Sequence, residues 1–187
     1  MPADDTLPPV PAMRRINYFT GRLLTAQDLQ AEQEYHRDRL RRHNLALHAA
    51  GTAQGLSVKL SGAVVRVTPG LAVDCLGREI CVPSPTEISL SGAAGRIVYL
   101  VISYAEQAIG LIPVPGAPDL SSEEAGALPG YIAETYALSF GLATKRHARR
   151  AAGWIGCRED HPLPLARLLR NQGRWRIDVR YRRPAAG

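Results

Sequence analysis

An α+β fold, with a mainly antiparallel β domain, an extended N-terminal arm and one long N-terminal helix, is what this sequence predicts. Three observations lead there. A long helical pattern occurs near the N-terminus, over residues 26–48. From Gly55 onward, apolar residues alternate with polar ones in short runs broken by glycine and proline turns, the pattern of antiparallel strands. No serial strand–helix–strand rhythm is present, which argues against a doubly wound dinucleotide-binding domain. The chain divides into residues 1–25 (arm and docking cluster), 26–50 (helix) and 51–187 (β-rich domain with a long loop at 105–130).

Each element has a local reason. Pro2, Pro8, Pro9 and Pro11 disfavour helix and remove backbone donors, so residues 1–16 are expected to be extended. Tyr18, Phe19, Leu23 and Leu24 form a short apolar cluster behind them. Thr25 and Asp28 have the spacing of an acidic capping box, and Asp28 favours the positive end of the helix dipole. The helix that follows is rich in Gln, Glu, Arg, Leu and Ala, and Gly51 is read as its stop. Leu29, Gln33, His36, Leu40, His43 and Leu47 recur at 4-3-4-3-4 spacing. A core helix of a monomer would carry more aliphatics. A polar stripe that sets register suits a self-associating or partner-facing helix.

The strands follow in order. Leu56, Val58 and Leu60 alternate with Ser57 and Lys59, and Val65 and Val67 with Arg66 and Thr68. Pro69-Gly70 is a turn signal. Leu71, Val73 and Cys75 lead into a turn at Leu76-Gly77-Arg78, and Ile80 and Val82 continue beyond it. Residues 96–104 (RIVYLVISY) read as a central strand, 131–142 as another, 154–157 as an edge strand and 163–169 as a strand entering the turn Asn171-Gln172-Gly173. Trp175, Ile177 and Val179 then alternate with Arg176, Asp178 and Arg180.

With 187 residues, of which 45% are hydrophobic, the chain can build one ordinary core, although two Phe leave the filling to Leu, Val, Ile and Tyr. The formal charge of +6 raises the case for an acidic partner. The cations cluster in three segments: Arg37, Arg39, Arg41 and Arg42; Lys145, Arg146, Arg149 and Arg150; Arg174, Arg176, Arg180, Arg182 and Arg183. The first also holds Glu32, Glu34 and Asp38, and only Trp175 and Tyr181 interleave aromatics among the cations. Nucleic-acid binding therefore ranks behind protein binding. Cys75, Cys81 and Cys157 are odd in number and widely spaced, so buried free thiols are expected rather than a disulfide framework or zinc pair. The acidic, proline-rich start is unlike a signal peptide, and no apolar run reaches the roughly 20 residues that span a bilayer. These features predict a soluble chain made in the cytoplasm, without membrane insertion.

The chemistry-bearing residues do not assemble into a motif. His36 and His43 lie seven apart on one helix face, and no HExxH occurs. Interface histidines are the simpler reading, with a metal or anion held around an oligomer axis as the alternative. Asp74, Glu79 and Asp178 invite a glycosidase carboxylate pair, but Asp74 and Glu79 flank a turn that explains both. Cys157, Asp160 and His161 lack a visible orienting group or oxyanion donor. No phosphate-binding glycine loop is present. No catalytic, cofactor-binding or metal-ligating residue is therefore assigned, and no enzyme activity is expected.

The string YFTGRLLTAQDLQAEQEYHRDRLRRHN at 18–44 resembles the N-terminal signature of a family of baseplate and tail-associated structural proteins. These occur in contractile phage tails and phage-like extracellular contractile injection systems. LHAAGTAQGLSV at 47–58, PGLAVDCLGREICVP at 69–83 and DHPLPLARLLRNQGRWRID at 160–178 are similar to later parts of the same proteins. The sequence departs from them at Ala49 and Ala50. The resemblance implies a structural role in a tail-like particle or virion. His36, Arg37, Arg41, His43 and Asn44 would join neighbouring baseplate or tail proteins, or seat a fibre or anchoring component. Arg78 and Glu79 match the family's turn motif, which is scaffold-forming. With the helix stripe and cluster, the expected interaction residues are Tyr18, Phe19, Leu29, Gln33, His36, Arg37, Leu40, Arg41, His43, Asn44 and Leu47, in a hetero-complex or homo-oligomer. The alternatives are a carbohydrate-binding module on the β domain, which needs a concave aromatic surface, and a basic nucleic-acid-binding protein.

Overall fold

The computed structural model describes residues 12–113, 127–141 and 161–186. Helix α1 (Ala26–Leu47) precedes strands β1 (Gly51–Gly55), β2 (Val58–Ser61), β3 (Val64–Val67), β4 (Gly70–Val73), β5 (Glu79–Val82), β6 (Thr86–Ser89), β7 (Ile97–Pro113), β8 (Ala127–Gly141), β9 (Leu163–Asn171) and β10 (Arg174–Ile177). They form three sheets in the orders β1-β4-β5, β2-β3-β6 and β10-β9-β7-β8. All the pairings between these strands are antiparallel, in line with the period-2 sequence.

Alternation translates directly into burial. In β3, Val65 and Val67 point inward while Val64 and Arg66 face out, and in β5 Ile80 and Val82 do the same. With Leu56, Ala72, Leu90, Val98, Leu100, Ile102, Leu163, Leu165 and Leu168 they make one core drawn from all three sheets. Each fully buried Leu, Ile or Val is worth about 1.5–3 kcal/mol. Phe140, Tyr104, Tyr136 and Trp175 border this core, so aliphatics do most of the filling, as the composition implies. The β9–β10 hairpin turns through Gln172 and Gly173, both at positive φ, the geometry of a two-residue primed turn.

The structure departs from the sequence reading at four places. The helix ends at Leu47, where His48 turns extended and its N–H still reaches Asn44 O at 2.9 Å. Gly51 is therefore not its stop. It opens β1, where a Cβ would lie 2.4 Å from the Ala185 backbone, so glycine lets the C-terminal segment approach. That segment is strapped to β1 by Thr52 N to Pro184 O and Ala186 N to Thr52 O, each 3.0 Å. Second, the ends of the 105–130 loop are strand: β7 runs to Pro113 and β8 starts at Ala127, in unbroken register from Tyr99↔Gly141 to Pro113↔Ala127. Prolines and Gly110 masked that pairing in the sequence. Third, Cys81 is exposed, because the period that buries Ile80 and Val82 turns it outward; Cys75 is buried. Fourth, Val179 lies beyond β10 and is 83% exposed. The edge strand read at 154–157, the cations at 145–150, and Cys157 and Asp160 lie outside the described residues.

Candidate docking surface

The N-terminal cluster is held in a built turn. Arg22 N donates to Phe19 O at 3.1 Å, and Gly21 supplies a positive φ. The Arg22 guanidinium then bridges Asn17 O (2.8 Å) and Asp28 Oδ1 (2.7 Å), tying the turn to the first turn of α1. Asp28 also completes the capping box: Thr25 Oγ1 accepts from Asp28 N, and Asp28 Oδ2 accepts from Thr25 N at 3.0 Å. The Thr25 backbone and hydroxyl bonds, with Arg22 beside them, hold the Asp28 carboxyl below its ordinary pKa. This order leaves Tyr18, Phe19 and Leu23 on the surface, with Leu23 84% exposed.

At the other end, α1 rests on the β4–β5 turn. Asp74 builds that turn. Its Oδ1 accepts from Leu76 N (2.9 Å) and Arg78 N (2.8 Å), and its Oδ2 from Arg78 Nε (2.6 Å). Gly77 sits so close to the helix that a Cβ there would lie 2.4 Å from Arg41 O. Asn44 Nδ2 donates to Gly77 O at 3.0 Å. Asn44 is the only buried residue of the 22 in α1. The helix is thus fastened near one end and leaves most of its surface free of its own body.

The outward face carries the spaced stripe. Leu29, Leu40 and Leu47 are 53%, 49% and 65% exposed, and Gln33, His36 and His43 are exposed with them. His36 Nε2 lies 3.1 Å from Glu32 Oε1, and His43 packs edge-on to His48. Glu32, Gln33, His36 and Arg37 form one wall of an open groove of about 600 Å³. The other wall is the distal β7–β8 ribbon, through Glu106, Pro129, Gly130, Tyr131, Ile132 and Glu134. Glu106 and Glu134 are direct cross-strand partners. Tyr104 donates to Glu106 Oε1 at 2.7 Å, and Arg78 stacks over the Tyr104 ring at 4.6 Å. Burial, then the two carboxylates, push the Tyr104 phenol above its ordinary pKa.

Of the expected interaction residues, Tyr18, Phe19, Leu29, Gln33, His36, Arg37, Leu40, His43 and Leu47 are exposed, along the arm turn and α1. Arg41 is half-buried, with its side chain 3.6 Å from Asp38. Asn44 departs from the expectation: it faces inward and fastens α1 to the body. Sequence reading took 131–142 as a strand but missed its pairing with residues 105–113 in a ribbon, where Ile109, Leu111, Ile112, Leu128, Tyr131 and Ile132 are exposed. The hydrophobic run 109–112 was a signal for it, hidden by the adjacent prolines.

The carboxylates considered for catalysis have structural partners. Asp74 serves its turn, and Asp178 accepts from Arg167 Nε (2.6 Å) and Arg180 N (3.0 Å), bonds that hold its carboxyl below the ordinary range. Among the described residues, no group of three or more His, Cys, Asp or Glu is placed to hold a metal ion. Trp175 is half-buried under Arg170 rather than part of an open aromatic platform. No helix among the described residues is long and apolar enough to cross a membrane.

Three antiparallel sheets around one aliphatic core, with a long helix leading in, form a fold found in chains of a secretion-system baseplate. One is in the cryo-electron microscopy structure of the type VI secretion system TssK-TssF-TssG baseplate subcomplex, with a TM-score of 0.53 and 16% identity over 93% of this chain and 62% of that one. Another is in the baseplate complex from the type VI secretion system, with a TM-score of 0.50 and 15% identity over 92% of this chain and 60% of that one. The chain thus spans about three-fifths of the length of these solved chains. At this identity the likeness is one of fold. Neither a protein-family profile nor a curated protein sequence matches the chain.

Proposed function

We propose that this chain is a non-enzymatic structural component of the baseplate of a contractile tail or injection machine. It docks onto baseplate neighbours, a fibre or anchoring component among them, through the arm turn and α1. The observation that carries this reading is the exposure of α1. A helix of 22 residues with one buried residue gains little from packing on its own body. Most helical stability in proteins comes from covering an apolar face. Here Leu29, Leu40 and Leu47 are left for a partner to cover. The shared fold with type VI secretion system baseplate chains supports the same reading.

Co-purification tests it. The chain is co-expressed with the other baseplate proteins of its own system, and retention is compared with the triple variant Leu29→Asp, Leu40→Asp, Leu47→Asp. The expected result is loss of the complex with an unchanged β-sheet dichroism and melting temperature. Full retention of the complex by the triple variant would overturn the assignment of α1 as the docking surface.

A further inference from the structure

We propose that the groove between α1 and the distal ribbon receives an extended, apolar segment of another protein, added as a strand along the free edge of β8 and carrying a lysine or arginine. The inference rests on the reading of α1 as a docking surface; it adds the second wall of the site and the chemistry of the occupant. β8 is the last strand of its sheet, with β7 on one side only. Among the described residues, no backbone hydrogen bond reaches β8 from its other side. Such an edge presents a row of unpaired N–H and C=O groups, and another strand is what satisfies that row. The groove follows the edge. Pro129, Gly130, Tyr131 and Ile132 line it consecutively, whereas the residues on one face of a strand alternate. From Pro129 to Glu134 the edge runs for roughly 17 Å, the length of an ordinary strand.

The walls select the side chains of the added strand. Tyr131 and Ile132 are exposed beside the edge, so apolar residues placed there gain cover. Three carboxylates, Glu32, Glu106 and Glu134, line the groove against one guanidinium, Arg37. Glu32 is held by His36 on its own helix, at 3.1 Å. Glu106 and Glu134 are left, directly opposite each other in the β7–β8 pair, where like charges oppose pairing. The Tyr104 hydroxyl beside them brings no positive charge, and the Arg78 stacked on that ring gives its Nε to Asp74 at 2.6 Å. A cation on a strand laid along β8 would lie next to Glu134 and offset the repulsion. Charge also argues against β8 of a second copy as the occupant. It would bring its own Glu106 and Glu134 to a groove that already holds three carboxylates.

The test uses the full chain, with overlapping synthetic peptides that tile the other baseplate proteins of its own system as the probe. The peptides expected to bind alternate apolar residues and carry a lysine or arginine, and they should protect residues 129–134 from amide exchange. Methylating alternate backbone amides of a bound peptide removes its donors and should abolish binding. Glu134→Lys is expected to weaken binding about tenfold or more. Replacing the cation of the peptide by glutamate should recover affinity for that variant, which separates a charge contact from a folding defect. The proposal is overturned if no peptide binds, or if bound peptides leave β8 unprotected. It is also overturned if binding is indifferent to methylation and charge reversal, or if the chain alone protects its β8 edge as its concentration rises, the mark of a second copy. Loss of the baseplate complex in the Leu29, Leu40 and Leu47 triple variant, with no peptide bound at β8, would leave the docking role of α1 standing while removing the added strand. Peptide binding at β8 in a chain whose complex survives the triple variant would do the reverse.

Discussion

Leu100 in β7 is fully buried, whereas Leu40 in α1 is 49% exposed, although both belong to an apolar stripe legible in the sequence. Leu100 lies within a core fed by three sheets, where neighbouring strands close over it. Leu40 lies on a helix held to the body near its C-terminal end, through Asn44 and Gly77. The difference separates two uses of periodicity. Period-2 stripes in the strands, outside the distal β7–β8 ribbon, are satisfied inside the chain and make the fold. The 4-3 stripe in α1 is not satisfied there, and Leu29, Leu40 and Leu47 stay exposed.

The largest expected effect tests the buried side of this contrast. Leu100→Ala is expected to lower stability by about 2–5 kcal/mol, read as a shift in the denaturant midpoint. Leu40→Ala in the isolated chain should stay within about 0.5 kcal/mol of wild type. Equal losses in the two variants would mean that α1 packs on the body more than its exposure indicates. The link between the regions comes next. Gly77→Ala places a Cβ 2.4 Å from Arg41 O at a residue with φ +77°. A cost of about 1–3 kcal/mol is expected. Amide exchange should accelerate in the last turns of α1 while β7 and β9 keep their protection. Uniform acceleration across the chain would show that helix and body open as one unit.

Sequence reading reached much of this because the signals were local. Thr25 and Asp28 are three residues apart and form the capping box that their spacing implies. Val65, Val67, Ile80 and Val82 alternate and are buried as alternation requires. What was not legible depends on contacts distant in sequence. Asn44 reads as a residue that joins a neighbouring protein, until the β4–β5 turn supplies Gly77 O, 33 residues away. Gly51 reads as a helix stop, until Ala185 arrives beside it. The distal ribbon was hidden for a different reason. Gly110, Pro113 and Pro129 carry turn signals, but a two-stranded ribbon at a sheet margin tolerates them.

A smaller effect lies at the helix start. Thr25→Ala removes the N-cap hydroxyl and should cost about 1 kcal/mol, measured by thermal denaturation at neutral pH. The Asp28 carboxyl has a folded pKa below its unfolded one. Its stabilisation is therefore fully present above the unfolded value and is lost as pH falls through the folded value. The difference between wild type and Thr25→Ala should shrink across that acidic window. A constant difference down to the bottom of the window would mean that the cap acts without Asp28.

The smallest effect on stability comes from two cysteines six residues apart, one in the β4–β5 connection and one in β5. Cys81 lies on the outward face of β5, between buried Ile80 and Val82, while Cys75 is buried beside the Asp74 turn. In a Cys157→Ser background, a thiol reagent should label Cys81 in the native protein at close to the rate of a free thiol. Cys75 should react only on unfolding, at a rate that follows denaturant concentration. Cys81→Ser should leave the melting temperature unchanged, because an outward side chain in a four-residue strand loses no core contact. Protection of Cys81 from the reagent in the native protein would reverse the assignment of the β5 faces. The same period-2 argument would then fail for Ile80 and Val82, and with it the contrast between a body that covers its apolar stripes and a helix that does not.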